Sequence, residues 1–276
     1  MEMTYKLSFL NLMLGLFILS ACGSSSQLAQ KKETTTKISV DSIPMAHTQF
    51  TIDRFDALYM VTPDDELIKL RTDYTIEFRY SNSRLGAISS IDVSNPLTNI
   101  CFYQDFQTIV LLDRTLNPIS EIHLGDWGFH NVTATCNAGN TQLWVYDASD
   151  MQLAQIAKDR HTPIRTFPIN LLSDESFIMT KMLVNGENLY CLSAKGDIYK
   201  ISLIGESLQK ILGGQQYTDF QFSGNRLLVL DKKGQISLYQ NALELKPLAY
   251  PLAQKGKWGL LGGHLFLGNG DVIWKD

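Results

Sequence analysis

One block of sequence recurs six times along this chain, at intervals of 38 to 46 residues. Each copy is an apolar run, a short polar stretch and a second apolar run, which is the pattern of two antiparallel strands joined by a turn. A shorter apolar run precedes each copy, and a weaker, more charged run follows most of them. The repeating unit therefore contains four strands. The six copies occupy residues 58–70, 100–112, 143–153, 189–201, 227–238 and 265–274.

The first strand of each copy is apolar on both faces, as Leu143 with Val145 and Trp144 with Tyr146 illustrate. Successive side chains of a strand point to opposite sides, so such a strand must be covered on both sides by neighbouring sheets. Repetition at this period is typical of a propeller. We therefore predict an all-β fold, a six-bladed β-propeller of four-stranded blades over residues 37–276.

The last copy stops after the third strand of its blade, so its fourth strand must come from elsewhere. Residues 37–40, just before the first blade, are the available candidate. We expect this N-terminal strand to complete the last blade and close the ring. Residues 151–158 also have a periodicity compatible with a helix, but the register of the repeat favours a strand there.

The N-terminal residues stand outside the repeats. An apolar run at residues 7–19 follows Lys6 and is too short to span a bilayer, which is the pattern of a secretory signal peptide. The run ends in Leu-Ser-Ala-Cys at residues 19–22, which resembles the cleavage site of bacterial lipoproteins. The resemblance implies cleavage before Cys22 and acylation of that cysteine, and two or more acyl chains anchor a protein stably. An ordinary secretory signal with a chance cysteine is the alternative.

The expected organisation is a signal peptide at residues 1–21, a lipidated Cys22 with a flexible tether over residues 22–36, and the propeller at residues 37–276. Small and polar residues dominate the tether, which favours a flexible linker. Gly23 follows the cysteine where an aspartate would imply retention at the inner membrane, so the resemblance implies the outer membrane. Because no acidic cluster follows Cys22, we expect the periplasmic face, with exposure on the cell surface as the alternative.

Composition argues against some classes of partner. The formal net charge is −4, whereas a nucleic-acid-binding domain needs a basic surface, so we expect no nucleic-acid partner. Three cysteines remain beyond Cys22, namely Cys101, Cys136 and Cys191. An odd number cannot all pair within the chain. We expect them to be small buried apolar residues.

The sequence lacks the common catalytic motifs: the Gly-x-Ser-x-Gly elbow, His-Glu-x-x-His, the phosphate-binding loop and the dinucleotide fingerprint. We expect no catalytic residue and no cofactor. His47 and His130 fall near the starts of innermost strands, close to the channel axis, and His264 falls towards the opposite face. Two axial histidines without paired carboxylates make a weak metal site, so we expect no bound metal. A metal-dependent hydrolase is the least favoured alternative.

In a propeller, the loops that lead into the innermost strands surround one mouth of the central channel. Here those loops carry aromatic side chains from blades three to six, which could bind a peptide, a sugar or a partner's loop. The alternative is that these aromatics pack between the blades. Residues 125–131 are the best candidate for exposure because two glycines allow close approach of a backbone. The candidate binding residues are Trp127, Phe129, His130, Phe177, Tyr217, Lys257 and Trp258.

The repeats follow a degenerate pattern, apolar-Tyr-x-apolar-x-x-x-Gly-x-Ile, seen at residues 189–198. This pattern resembles the broad group of six-bladed propellers with NHL-type and quinoprotein-like repeats, over residues 37–276. The tryptophan signature of quinoprotein-type blades is absent, so the resemblance implies no quinone site. The overall layout is also similar to lipid-anchored propellers of bacterial envelopes, which include an accessory subunit of the outer-membrane β-barrel assembly machinery.

Together, the anchor and the repeats indicate a cell-envelope lipoprotein whose propeller is a non-enzymatic scaffold for a protein partner, in an outer-membrane assembly or transport complex. The expected contacts are the membrane, through the lipid, and a protein of the envelope. A propeller is a framework that hosts many unrelated activities. A propeller that binds a carbohydrate or another small ligand is therefore the main alternative.

Overall fold

The computed structural model of this chain describes residues 41–95, 97–159, 162–169, 178–204, 207–214, 217–241, 244–249, 253–261 and 264–275. The signal peptide, Cys22, the tether, residues 37–40 and Phe177 lie outside these residues. The described part forms six sheets of four antiparallel strands, arranged as the blades of a ring. The predicted fold class and blade number are therefore confirmed. Within these ranges, no helix is both long and apolar enough to cross a membrane.

Each blade is built from four strands in chain order, from the channel outwards, except for the last blade. The first three blades contain β2 Gln49–Ile52, β3 Leu58–Val61, β4 Leu67–Leu70 and β5 Ile76–Tyr80; β6 Ser90–Asp92, β7 Asn99–Tyr103, β8 Thr108–Leu112 and β9 Pro118–His123; and β10 Val132–Asn137, β11 Gln142–Asp147, β12 Gln152–Ala157 and β13 Pro163–Pro168. Strand β12 occupies Gln152–Ala157 within residues 151–158, so the strand favoured there by the repeat register is confirmed.

The other three blades follow the same plan. They contain β14 Met179–Asn185, β15 Asn188–Ser193, β16 Ile198–Ser202 and β17 Ser207–Leu212; β18 Tyr217–Ser223, β19 Arg226–Asp231, β20 Ile236–Asn241 and β21 Glu244–Pro247; and β22 Trp258–Leu261, β23 His264–Gly268 and β24 Val272–Lys275, with β1 Asp41–Pro44 as the fourth strand. A short 3-10 helix, Leu124–Trp127, precedes the third blade.

The hydrophobic core lies between blades rather than within any one of them. Every residue of β3, β7 and β8 is buried, whereas the outer strand β9 is mostly exposed. Each apolar cluster combines side chains of two adjacent blades; one joins Trp144 and Tyr146 of the third blade to Cys191 of the fourth. The middle strands carry apolar side chains on both faces because each blade is covered by its two neighbours.

An N-terminal strand closes the ring, as predicted; it is described over Asp41–Pro44, directly after residues 37–40, which lie outside the described part of the chain. Strand β1 pairs antiparallel with β24, with Ile43 opposite Ile273 and Pro44 opposite Val272. Ile43 is 3% exposed and packs with Phe50 and Met60 of the first blade. Only four residues, 45–48, then connect β1 in the last blade to β2 in the first.

The three cysteines of the propeller are buried and unpaired, which confirms that they act as small apolar residues. Burial raises the pKa of each thiol well above its usual value. Each therefore remains a neutral thiol inside the packed blades.

Candidate functional site

The ring has two faces, which the direction of the innermost strands defines. We call the face that carries the loops leading into the innermost strands the upper face. The face with the turns that join first to second strands, and third to fourth strands, is the lower face. The described candidate residues taken from the sequence belong to the upper face or to the innermost strands beneath it.

The structure places these candidates at different depths. Phe129, Tyr217 and Trp258 are buried, with exposed fractions of 4%, 5% and 0%. They pack between blades, as the alternative interpretation held, and present no surface to a partner. Trp127 is half-buried against an apolar cluster of the second and third blades, and His130 is exposed beside it.

Lys257 and Phe177 are the two candidates not yet placed. Lys257 is half-buried in the loop before β22, and Phe177 lies outside the described residues. The His130 backbone N–H donates to Asp147 Oδ2 at 2.6 Å, which holds this loop against the neighbouring turn. A binding surface at this mouth remains a prediction, now centred on Trp127, His130 and Lys257.

Trp258 is buried because its indole forms part of a charged network beneath the mouth. Its Nε1 donates to Asp219 Oδ2 at 2.8 Å, and the Gly256 N–H donates to the same oxygen at 3.1 Å. Lys181 Nζ lies 2.6 Å from Asp219 Oδ1, which also accepts from the Phe220 N–H at 2.8 Å. Four donors thus stabilise a carboxylate that is 1% exposed. The network joins three consecutive blades.

Sequence analysis did not single out Asp219 or Lys181. The available signal was an aspartate inside the apolar first strand of the fifth blade, where burial without partners would be costly. Its partners lie 38 and 39 residues away along the chain. Pairing them requires the angle between blades, which the repeat pattern does not contain.

Polar contacts of this kind bridge all six junctions between the described blades. At five of them a side chain reaches across to the next blade; at the sixth a backbone N–H does so. The bridges are Gln49 Nε2 to Ile88 O at 3.0 Å, Val132 N to Gln107 Oε1 at 2.6 Å, Thr133 Oγ1 to Met179 O at 2.7 Å, Lys181 Nζ to Asp219 Oδ1 at 2.6 Å, Gln221 Nε2 to Trp258 O at 2.6 Å and Phe50 N to Gly256 O at 2.9 Å.

A second polar cluster joins the second and third blades at the lower face. Asp92 accepts from the Ser94 and Asn137 backbone N–H groups, both at 2.8 Å. Lys158 Nζ donates to Asn137 Oδ1 at 3.2 Å and to the Asn140 carbonyl at 3.3 Å. Desolvation lowers the pKa of Lys158 to about 8, although the nearby Asp92 charge opposes that shift.

The central channel contains a cavity of about 320 Å³, lined by the innermost strands. Thr135, Lys181 and Asp219 are among its polar lining residues. The Thr135 hydroxyl is buried and has no hydrogen-bond partner, whereas Lys181 and Asp219 neutralise each other. The volume is at the lower end of the range for small-ligand pockets.

The three histidines considered as metal ligands lie apart. His47 is 2% exposed in the link between β1 and β2, while His130 and His264 are exposed. Among the residues that the structure describes, no three His, Cys, Asp or Glu side chains converge as a metal site would require. His47 Nδ1 bonds to the Met45 carbonyl at 2.8 Å, its Nε2 has no partner, and burial lowers the pKa of its imidazole.

A depression lies on the lower face, between the first two blades, and we call it the blade 1–2 groove. Its volume is about 610 Å³. Phe55 and Leu97 are 67% and 62% exposed at its edges. Arg54, Arg71 and Arg114 also line it. Sequence analysis passed over this surface, although an aromatic residue at the tip of a polar turn was a usable signal.

Comparison with known proteins identifies the fold but not a family, since neither a protein-family model nor a curated protein matches this chain. Among solved structures, the β-propeller domain of Cps50 (Swd1) from Myceliophteria thermophila matches with a TM-score of 0.60 and 12% identity, covering 86% of this chain and 99% of that one. The WD40 domain of Pan2 from Neurospora crassa matches with a TM-score of 0.56 and 10% identity, covering 84% and 88%.

BamB from Moraxella catarrhalis is also similar, with a TM-score of 0.48 and 13% identity, covering 82% of this chain and 81% of BamB. At such identities the likeness to solved structures concerns the fold alone. This chain is a six-bladed β-propeller with four-stranded blades.

Proposed function

We propose that this chain is a lipid-anchored lipoprotein on the periplasmic face of the outer membrane, whose propeller binds a protein partner without catalysis, as a scaffold in an assembly or transport complex. The observation that carries the proposal is the bridged ring: polar contacts join all six described blade junctions, and the buried Asp219 carboxylate is paired with Lys181. Such an interior maintains a shape and leaves recognition to the surface. A rigid surface loses little conformational entropy on binding.

The membrane part of the proposal depends on residues 1–36, through the lipoprotein-like cleavage site before Cys22. A lipid anchor restricts a scaffold to one surface and so raises its effective concentration near a partner held on that surface. The acylated cysteine would therefore hold the protein at the membrane, and the propeller would supply the surface that binds the partner.

Crosslinking of the intact lipoprotein in its native cells tests the proposal. A lysine-reactive crosslinker should capture a defined envelope complex, identified by mass spectrometry. The Cys22→Ala variant should capture less of it, because the partner would no longer share a surface with the propeller. Capture of nothing by a folded and anchored protein would count against the scaffold.

The channel cavity favours one second candidate, a propeller that binds a small polar ligand. The unpartnered Thr135 hydroxyl in its lining is an available hydrogen-bonding group. One class of sugar or peptide should then raise the thermal unfolding midpoint of the protein. Thr135→Val should abolish that rise, while the exposed Thr72→Val substitution should leave it unchanged.

A further inference from the structure

We propose that the blade 1–2 groove docks an acidic segment of the partner protein that carries an aromatic or aliphatic anchor residue. This inference rests on the proposed scaffold function and names the surface and the chemistry of the partner. Its support comes from the apolar edges of the groove, from the excess of positive over negative side chains that line it and from the hydrogen bonds that hold its turns in place.

The apolar component consists of Phe55 and Leu97, at the tips of equivalent turns in adjacent blades. They are among the seven large apolar side chains that the described surface exposes most, and they alone of these line the groove. Exposed apolar groups on two sides of a depression are typical of a docking site. They offer an anchor side chain two walls to pack against.

The charged component consists of the guanidinium groups of Arg54, Arg71 and Arg114. None of the three forms an ion pair with a described residue; Arg54 lies over the Phe55 ring at 5.1 Å and Arg71 bonds weakly to Thr75 at 3.5 Å. The chain as a whole has a formal net charge of −4, so the positive charge of this cluster is opposite in sign to the net charge of the chain. Guanidinium groups bind carboxylates through paired hydrogen bonds.

The two acidic side chains that line the groove, Asp53 and Glu77, are already engaged, as is Asp73 near Arg71. Asp53 is 3% exposed and accepts from the Phe55 and Ala57 N–H groups at 2.8 and 3.0 Å. Glu77 lies 4.0 Å from Lys69, and Asp73 accepts from Thr75 at 2.6 and 3.0 Å. Lys69 Nζ is itself directed to the Arg114 carbonyl at 3.1 Å. The exposed arginines therefore supply the positive charge available to a ligand.

The turns that form the groove are held in place before any partner binds. Asp53 caps the turn of Phe55, and Asn95 Oδ1 accepts from the Leu97 N–H at 3.1 Å. Asp113 Oδ1 accepts from the Thr115 N–H at 2.7 Å and so orders the turn that carries Arg114. Preorganised side chains lose less entropy on binding, which favours a specific occupant. A concave site favours an inserted protein segment over a flat lipid surface.

Selection of a random peptide library displayed on phage tests the inference, with the full-length protein immobilised in detergent micelles. Enriched peptides should combine Asp or Glu with Phe, Leu or Trp. Their affinity should fall about tenfold in Phe55→Ser and in the double variant Arg54→Ala with Arg114→Ala. It should also weaken as salt rises.

Matched controls lie on the same face of distant blades. Ile204→Ser removes a side chain that is 72% exposed, and Arg226→Ala removes an exposed arginine; both should leave peptide binding unchanged. All these positions are exposed, so the thermal midpoint should not move. Failure to enrich any peptide, enrichment without acidic residues, or equal binding by the groove variants would overturn the inference.

Two further measurements separate the alternatives. Sedimentation of the Cys22→Ala chain with vesicles of phosphatidylethanolamine and phosphatidylglycerol tests a lipid surface; binding that needs Phe55, without peptide binding, would replace the inference with membrane docking. Crosslinking of the groove variants in cells separates the two proposals. If the variants capture the same partner as the wild type, the groove inference is wrong while the scaffold function stands.

Discussion

At the scale of single residues, Asp219 shows how a propeller can hold charge at its centre. Its carboxylate is 1% exposed, yet a lysine, an indole and two backbone N–H groups all donate to it. Removing one member of such a network leaves the others buried without compensation. We expect the energetic effect to be far larger than that of a surface ion pair.

Asp219→Ala should therefore lower the free energy of unfolding by about 3 kcal/mol. Lys181 and the Trp258 indole would lose their acceptor, and three blades would lose a common link. The measurement is urea denaturation followed by tryptophan fluorescence. Asp197→Ala, which removes the more exposed ion pair with Lys210, is the control and should cost about 1 kcal/mol or less. Equal losses would contradict this account.

His47 makes the stability of the folded protein depend on pH. Burial lowers its pKa below the usual 6.5, because desolvation disfavours the charged imidazole more than the hydrogen bond to the Met45 carbonyl favours it. Well above pH 6.5 the imidazole is neutral in both the folded and the unfolded chain. As the pH falls below 6.5, the unfolded chain binds a proton that the folded chain does not, so stability is lost until the folded pKa is reached.

The wild-type protein should thus lose more stability between pH 7 and pH 5 than the His47→Gln variant does. Thermal unfolding midpoints at the two pH values measure the difference, which isolates the contribution of this histidine from those of other titrating groups. The exposed His130→Gln variant should behave as the wild type. Identical pH profiles for the wild type and His47→Gln would contradict the assignment.

At the scale of elements, β1 determines whether the ring is closed. This strand is distant in sequence from its partner β24, and it contributes Ile43 to the core between the last and first blades. Gly268 of the last blade leaves room for the link between β1 and β2, since a side chain at this position would collide with the His47 ring. Closure therefore depends on a small apolar contact and on close approach of the backbone.

Ile43→Asp should destabilise the protein by about 3 kcal/mol or more, because it places an unpaired carboxylate in that core. Ser42→Asp introduces the same charge on the exposed side of the same strand and should change stability by about 0.5 kcal/mol or less. Chemical denaturation of both variants measures the contrast. Equal stability of the two would show that β1 is not what closes the ring.

At the scale of the whole molecule, the proposed function joins a membrane anchor to a rigid ring. Cys22→Ala should move the protein from the membrane fraction to the soluble fraction of the envelope, because acylation would be lost. Cell fractionation with immunoblotting measures the shift, and Ser24→Ala should remain in the membrane fraction. Continued membrane retention of Cys22→Ala would refute the lipoprotein interpretation.

The sequence predicted more of the fold than of the site. The blade number, the four strands of a blade and the strand at Gln152–Ala157 follow from alternation and period, which are local properties. The closing N-terminal strand was also predicted in kind, and its described part, Asp41–Pro44, directly follows the residues 37–40 proposed for it. Three of the seven mouth candidates are buried, because the same aromatic pattern suits packing and recognition.

What the sequence determined by itself is the repeating unit and the number of units, because each repeat is encoded within a short stretch of chain. Only the tertiary structure decided that Asp219 meets Lys181 and Trp258, and that Phe55 and Leu97 face one groove with three arginines. Those contacts depend on the angle and stagger between neighbouring blades. No single repeat contains that information, since it arises only when six blades pack into a ring.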